Sequence, residues 1–341
     1  MPQNTGTLFV ADVPLLDPNY GTNIYKLIYT DTPFQAGLKS TEKAPTQPHH
    51  SWEVEAFGNQ GNMAVAQGVS KASGWGNYVG SVLQANCQIN RSQGWIVSRT
   101  TQASASATVS KQKQLGRQIL KDAENMKLAR EYLYLSTQET QDAVGSTTPG
   151  LLRAGFKWVQ PTAQALYPVP TEYRPTSSMQ LTSSSFTEDQ LQTAGYAAYS
   201  QIRGPVNLRG ICGVSVKQNM VGFKYKSAIV SNAAQSTLHV NTDQADKTHE
   251  VTCDVFVYPW GQITTFLSPY LAWDLDAGLP TAYTQTSAIF FNPSMWSEGW
   301  LRPLQPFPQI DNGEGPHGYH EEEGLIVCRN PQGTISVYAN S

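Results

Sequence analysis

KQKQLGRQILKDAENMKLAREYLYL, residues 111–135, decides the fold. Leu115, Ile119, Ala123, Met126, Ala129 and Leu133 recur at three- and four-residue steps, which marks one apolar stripe of an α-helix. Lys111, Lys113, Arg117, Lys121, Lys127 and Arg130 are expected on the opposite, solvated face, interrupted by Asp122, Glu124 and Glu131 and meeting acidic groups on neighbours such as the Glu321–Glu323 cluster. The pattern predicts a helix from about Ala103 to Leu135, with Gly145 and Pro149 beyond its end. At roughly 30 residues it would span about 45 Å, longer than the usual globular helix.

Upstream, residues 1–34 carry Pro2, Pro14, Pro18 and Pro33 and few charges, and read as an extended arm ending in Thr32-Pro33-Phe34. Such an arm has little to bury by itself and must lie on its own body or on a neighbour. Trp52, Val54 and Ala56 alternate with Glu53 and Glu55, the period of a half-exposed strand, and His49-His50 before it reads as a solvated turn. Leu83–Ile89 and Trp95–Val97 read as further strands. Between them, residues 58–80 are rich in Gly, Asn and Gln and too long for a hairpin turn. Neither this loop nor the arm has apolar periodicity, so both are expected to order only in an assembly.

Downstream, Thr187-Glu188-Asp189-Gln190 has capping-box spacing and opens a second helix with Leu191, Ala194, Ala198 and Ile202 buried and Gly204-Pro205 at its end. Residues 251–258 and 262–267 read as a β-hairpin with the three-residue loop Pro259-Trp260-Gly261. The fold class is α+β, with segregated helices and antiparallel strands. The last strand-like stretch is Glu322–Asn330.

The 341 residues allow a sizeable core. Charged residues make up only 14%, against roughly 25% in ordinary domains, and neutral polar groups replace them. Neutral polar surface is cheaper to desolvate against other protein. A net charge of -3 argues against nucleic-acid binding by bulk electrostatics. The arm sets Asp12, Asp17 and Asp31 against Lys26 alone, so DNA contact is expected to be weak and non-specific at most. No apolar run approaches a membrane span and no signal peptide is evident, so the cytosol is the expected compartment of synthesis. Cys87, Cys212, Cys253 and Cys328 are far apart and read as buried free thiols.

Motifs for chemistry are sparse. Gly74-Trp75-Gly76-Asn77-Tyr78-Val79-Gly80 has dinucleotide-loop glycines but no preceding strand or following helix, and reads as a loop tip. His317, His320 and Glu321–Glu323 fit no metal-ligand spacing and read as an exposed acidic turn before the last strand. No catalytic, cofactor-binding or metal residue is assigned.

Thr32-Pro33-Phe34, His50-Ser51-Trp52, Gly76-Asn77-Tyr78, Asp122-Ala123-Glu124, Gly150-Leu151 through Trp158, Asn292-Pro293 through Leu301-Arg302-Pro303, and Glu322–Asn330 follow one another along nearly the whole chain. In this order the chain resembles the major capsid proteins of tailed bacteriophages, with the Hong Kong 97-like fold. The closing strand departs from the family by running Cys328-Arg329-Asn330-Pro331, where a proline is unusual. The resemblance implies an N-terminal arm (1–35), an extended loop with flanking strands (36–100), a peripheral domain on the long helix (101–179 and 301–341) and an axial domain (180–300). It gives structural roles to Thr32, Pro33, Phe34, Trp52, Asn77, Tyr78, Asp122, Glu124, Trp158, Arg302, Glu323 and Asn330. It further implies a non-enzymatic icosahedral shell of hexamers and pentamers around double-stranded DNA, assembled in the host cytoplasm and carried in the virion. Portal, scaffold or decoration proteins are the expected partners. The alternatives are an encapsulin-like nanocompartment shell around an enzyme cargo, and a secreted β-rich carbohydrate-binding or hydrolytic protein suggested by eight Trp and sixteen Tyr.

Overall fold

The computed structural model describes residues 31–38, 45–54, 81–96, 111–145, 147–162, 164–183, 186–221, 223, 255–271, 286–309 and 315–338. The arm before Asp31, the 58–80 loop with Asn77 and Tyr78, the helix start before Lys111, and Cys253 lie outside the described residues.

In chain order the elements are β1 (His49–Val54), β2 (Ser81–Asn86), β3 (Gln88–Arg91), β4 (Trp95–Ile96), α1 (Lys111–Tyr134), the single turn α2 (Gly155–Trp158), β5 (Gln180–Thr182), α3 (Glu188–Ile202), β6 (Val206–Cys212) and α4 (Val214–Val221). Then follow β7 (Val255–Tyr258), β8 (Gly261–Leu267), β9 (Ala288–Phe291), β10 (Trp296–Gln309), β11 (His317–Cys328) and β12 (Ile335–Tyr338). β1 and β2 form an antiparallel ribbon with Trp52 opposite Leu83. β11 is flanked by β10 on one side and by β3 and β4 on the other. The third sheet has six strands in the order β5-β12-β9-β6-β8-β7.

This sheet corrects the expectation of purely antiparallel strands, because β6 pairs with β8 and β5 with β12 in parallel. A parallel neighbour needs a long crossover, so its pairing leaves no local turn signal. The β7–β8 loop is also shorter than expected: Gly261 joins the ladder opposite Tyr258, leaving Pro259-Trp260 as the turn. A Cβ on Gly261 would lie 2.0 Å from the Val206 carbonyl oxygen, so only glycine lets the turn close onto β6. His49 corrects a second local reading, since it starts β1 rather than a solvated turn. Its Nδ1 lies 2.7 Å from Asn86 Oδ1 and its ring packs on Tyr167.

α3 follows its local signals. Thr187 Oγ1 accepts from the Gln190 N–H at 3.4 Å, Arg203 closes the helix with a left-handed φ of 59°, and Leu191, Ala194 and Ala198 are buried, while Ile202 in the last turn is only half-buried, contrary to expectation. They join Met179, Val206, Ile263, Phe290, Ile335 and Val337 in one core. The Trp260 indole packs on the helix at Gly195, where an added Cβ would come within 2.1 Å of the ring. Gly195→Leu should therefore destabilise: overpacking costs about 1–3 kcal/mol or more, against a helix-propensity gain of roughly 1 kcal/mol. A urea midpoint equal to or above that of the parent would contradict this packing.

α1 forms where the period places it, but its buried face differs. Of the expected stripe only Met126 is buried; Leu115, Ile119, Ala123 and Leu133 are half-buried and Ala129 is exposed. The inward ridge is Asp122, Met126, Arg130 and Tyr134, at four-residue steps, with Glu131 beside it. Arg130 therefore leaves the solvated basic face assigned to it. A carboxylate on β11 draws it inward: Arg130 Nη2 lies 2.9 Å from Glu322.

Candidate functional site

The arm, α1 and the β10–β11 hairpin meet at the turn Thr32–Leu38. Thr32, Pro33 and Phe34 are buried there. The Ala36 N–H donates to the Thr32 carbonyl at 3.0 Å and closes the turn. The Phe34 ring sits among Phe291 (4.8 Å between centroids), Trp296 (6.0 Å) and Tyr134 (6.4 Å). Two backbone donors of the turn are taken by one helix side chain: the Phe34 N–H donates to Glu131 Oε1 at 2.7 Å and the Gln35 N–H to Oε2 at 3.0 Å. Gln35 Nε2 also donates to the Lys127 carbonyl. At its far end Gly37 abuts Arg209 of β6, leaving no room for a Cβ. The turn thus touches both the helix and the six-stranded sheet.

β11 carries the charge of the site. The expected exposed acidic turn is a correction here, because His320, Glu321, Glu322 and Glu323 are buried within this central strand. Burial of ionised carboxylates is tolerated where each has a cationic or donor partner. Arg91 Nε donates to Glu321 at 2.6 Å, Arg302 reaches Glu321 at 3.2 Å and Glu323 at 2.7 Å, and Arg130 meets Glu322. Asp122 faces the same strand: it accepts from Ser92 Oγ and lies 2.7 Å from His320 Nδ1, while Trp95 packs on the His320 ring. Glu124, two residues on, is half-buried and is not brought into this row.

The remaining motif residues occupy adjoining places. Trp52 packs on the fully buried Trp158 (5.6 Å), and the buried Arg153 guanidinium lies 4.7 Å over the Trp158 ring. Asn330 ends the strand by accepting the Gln332 N–H at 3.1 Å, which caps a short turn begun by Pro331. The departure at Pro331 is therefore a stop signal: proline suits the first position of a helical turn, where its missing N–H is not needed. β11 itself runs His317–Cys328, and the last described strand is β12.

Glu298, Arg153 and Arg209 of the junction carry no signal in the sequence, and Glu131 reads there only as a break in the basic run. The acidic partner expected for the basic face is met, among the described residues, by Arg130 alone, within the same chain. The four-residue step Asp122-Met126-Arg130-Tyr134 was the available signal, and it is hidden when only apolar residues are counted. Burial raises the pKa of Glu131 to about 7, against the downward pull of its two N–H bonds; the Glu298 charge adds to the rise. Burial also raises Glu298 and Glu322, with Arg130 opposing in both. Perturbed carboxyls often mark catalysis. Here Glu131 is 0% and Glu322 1% exposed, and each is engaged within the fold, Glu131 by the Phe34 and Gln35 N–H groups and Glu322 by Arg130. Burial pushes the Cys87 and Cys212 thiols up to about 12, which leaves them unreactive near neutrality. Among the described residues no cluster of His, Cys, Asp and Glu could hold a metal ion, and no helix is long and apolar enough to cross a membrane.

The whole arrangement matches solved capsid structures. The chain is similar to the capsid structure of the cyanophage P-SCSP1u, with 10% identity, 100% of this chain and 97% of that chain covered, and a TM-score of 0.57. It is similar to the capsid of a native GTA particle, with 8% identity, coverage of 97% and 98%, and a TM-score of 0.56. A structure of phage G gp27 major capsid proteins with gp26 decoration proteins matches at 9% identity, coverage of 96% and 97%, and a TM-score of 0.50. At these identities the likeness shows the fold, which is the Hong Kong 97-like capsid fold. No curated protein sequence matches. With the model of that family matching residues 1–339, the chain belongs to the SU10 major capsid protein family.

Proposed function

We propose that this major capsid subunit closes an icosahedral head shell of hexamers and pentamers around double-stranded DNA, without catalysis of its own. The observation that carries the reading is the junction at Thr32–Leu38, which ties an arm, a long helix and a long hairpin to one core while the second core lies under the six-stranded sheet. That arrangement supports a division into an arm (1–35), an extended loop (36–100), a peripheral domain (101–179 and 301–341) and an axial domain (180–300). β12 is the peripheral segment's return into the axial sheet, and β10 already begins at Trp296. Thr32, Pro33, Phe34, Trp52, Asp122, Trp158, Arg302, Glu323 and Asn330 hold these parts together; none is assigned chemistry.

Copies of the chain are the first partners, through interfaces on the order of 2,000 Å² or more per pair. Decoration, portal and scaffold proteins are further candidates. DNA contact is weak in this reading, because Arg130 is already engaged by Glu322 and is lost from the basic helix face. The nanocompartment alternative gains no support, since the matched structures are phage and GTA capsids. Electron microscopy of the expressed protein tests the proposal. Closed shells with five- and six-fold capsomers are expected; a monodisperse monomer under all ionic conditions would refute it.

A further inference from the structure

We propose that Glu131 is a proton-operated latch on the arm turn, holding Phe34 and Gln35 more tightly when its carboxyl is protonated than when it is ionised. This goes beyond the shell reading and does not depend on it.

The geometry sets two tendencies against each other. Ionised Glu131 accepts both N–H groups of the turn, which favours the anion. Yet the carboxyl is wholly buried, and among the described residues no cation lies within ion-pair distance of it. Every element packed around it contributes a group. From α1, Arg130 is committed to Glu322 of β11, Tyr134 is buried, and the exposed Lys127 offers the turn its carbonyl. From β10 comes the half-buried Glu298, whose charge repels one on Glu131. From β6 comes Arg209, which attracts one, but its guanidinium is stacked 3.9 Å over Phe266 and its Nε has no hydrogen-bond partner. Burial and Glu298 together outweigh the two N–H bonds, the Gln35 side chain and Arg209, since the carboxyl sits at about 7 rather than below its ordinary 4.5.

The sign then follows from linkage. If the turn lifts away, Glu131 meets water and returns towards 4.5; when the turn is seated it stands near 7. Seating therefore binds a proton. It is tightest below about pH 4.5 and loosens as the pH rises through 7. Between pH 5.5 and 8.5 the seating constant should fall about 30-fold.

Hydrogen exchange read by mass spectrometry on peptides spanning residues 31–38 of the full chain tests this, after correction for intrinsic exchange rates. Protection of the parent should fall about 30-fold from pH 5.5 to 8.5. In Glu131→Gln, which keeps an acceptor and cannot ionise, protection should be flat with pH. A flat parent profile, or an equal slope in Glu131→Gln, would overturn the latch. If Glu131→Gln does not fold, Glu298→Gln decides. Removing the Glu298 charge should move the midpoint of the parent's profile to lower pH, and an unmoved or higher midpoint would overturn it.

Discussion

Arg130→Met should destabilise the subunit by about 3–5 kcal/mol, the usual cost of removing one partner from a buried ion pair. Arg130 is the cation that reaches Glu322 from α1, and its charge also steadies Glu298. Without it the two carboxyls face each other from adjacent strands, with the Trp300 ring, over which the guanidinium now lies at 4.5 Å, left unpaired. Methionine keeps the stem, so the loss reports charge more than packing. The pH dependence separates the two further. Glu298 and Glu322 already stand above their ordinary values, so they stabilise the fold most when protonated, at low pH, and that contribution is lost as pH rises. Removing Arg130 removes the influence that lowers both, so the variant's deficit should grow from pH 5 to pH 8. Lys121→Met, on the exposed side of the same helix, should change stability by no more than ~0.5 kcal/mol. Chemical denaturation of the three proteins at both pH values checks this. Equal, pH-independent losses for Arg130 and Lys121 would mean that the Glu322 pair is not formed.

The same residue shows where reading the chain from its sequence succeeds and where it stops. α3 was legible down to its cap because Thr187, Gln190 and its Leu191-Ala194-Ala198 stripe act within a few residues of one another. α1 was legible as a helix, since 3.6-residue periodicity is also local. Its buried face was not: Asp122, Arg130 and Glu131 are matched by His320, Glu322 and the Phe34 and Gln35 amides, which lie about a hundred to two hundred positions away. A buried charge looks like a solvent-facing charge until its partner is known. The acidic run on β11 failed for the same reason, because its countercharges come from Arg91, Arg130 and Arg302 on three different elements. Thr32-Pro33-Phe34 was recognised as a motif, while its anchor Glu131 carried no motif of its own. The parallel pairing of β6 with β8 is likewise a property of the crossover between them.

Phe34→Ala is expected to cost about 3–5 kcal/mol, which is what truncating a fully buried aromatic to alanine costs in a core. Phe34 is 0% exposed and touches three rings drawn from three elements or their flanks: Tyr134 at the end of α1, Phe291 at the end of β9, and Trp296 at the start of β10. Those rings also meet one another, as Phe291 and Trp296 pack edge-to-face at 6.0 Å. The cavity left by alanine cannot collapse easily, because Trp296 is tied by its indole N–H to Thr334 Oγ1 at 3.1 Å and Phe291 lies in the β6–β9 ladder. Phe34→Leu keeps most of the volume and should lose clearly less. The backbone bonds to Glu131 remain possible in both variants, so the comparison isolates the ring from the latch. Thermal or urea unfolding of the subunit gives the ranking. Loss of the ring should also release the arm turn, so protease cleavage near residues 31–38 should speed up in Phe34→Ala under native conditions. If the alanine variant lost less than about 1 kcal/mol and its turn stayed as protected as the parent's, the arm would be held by its backbone bonds to Glu131 rather than by Phe34.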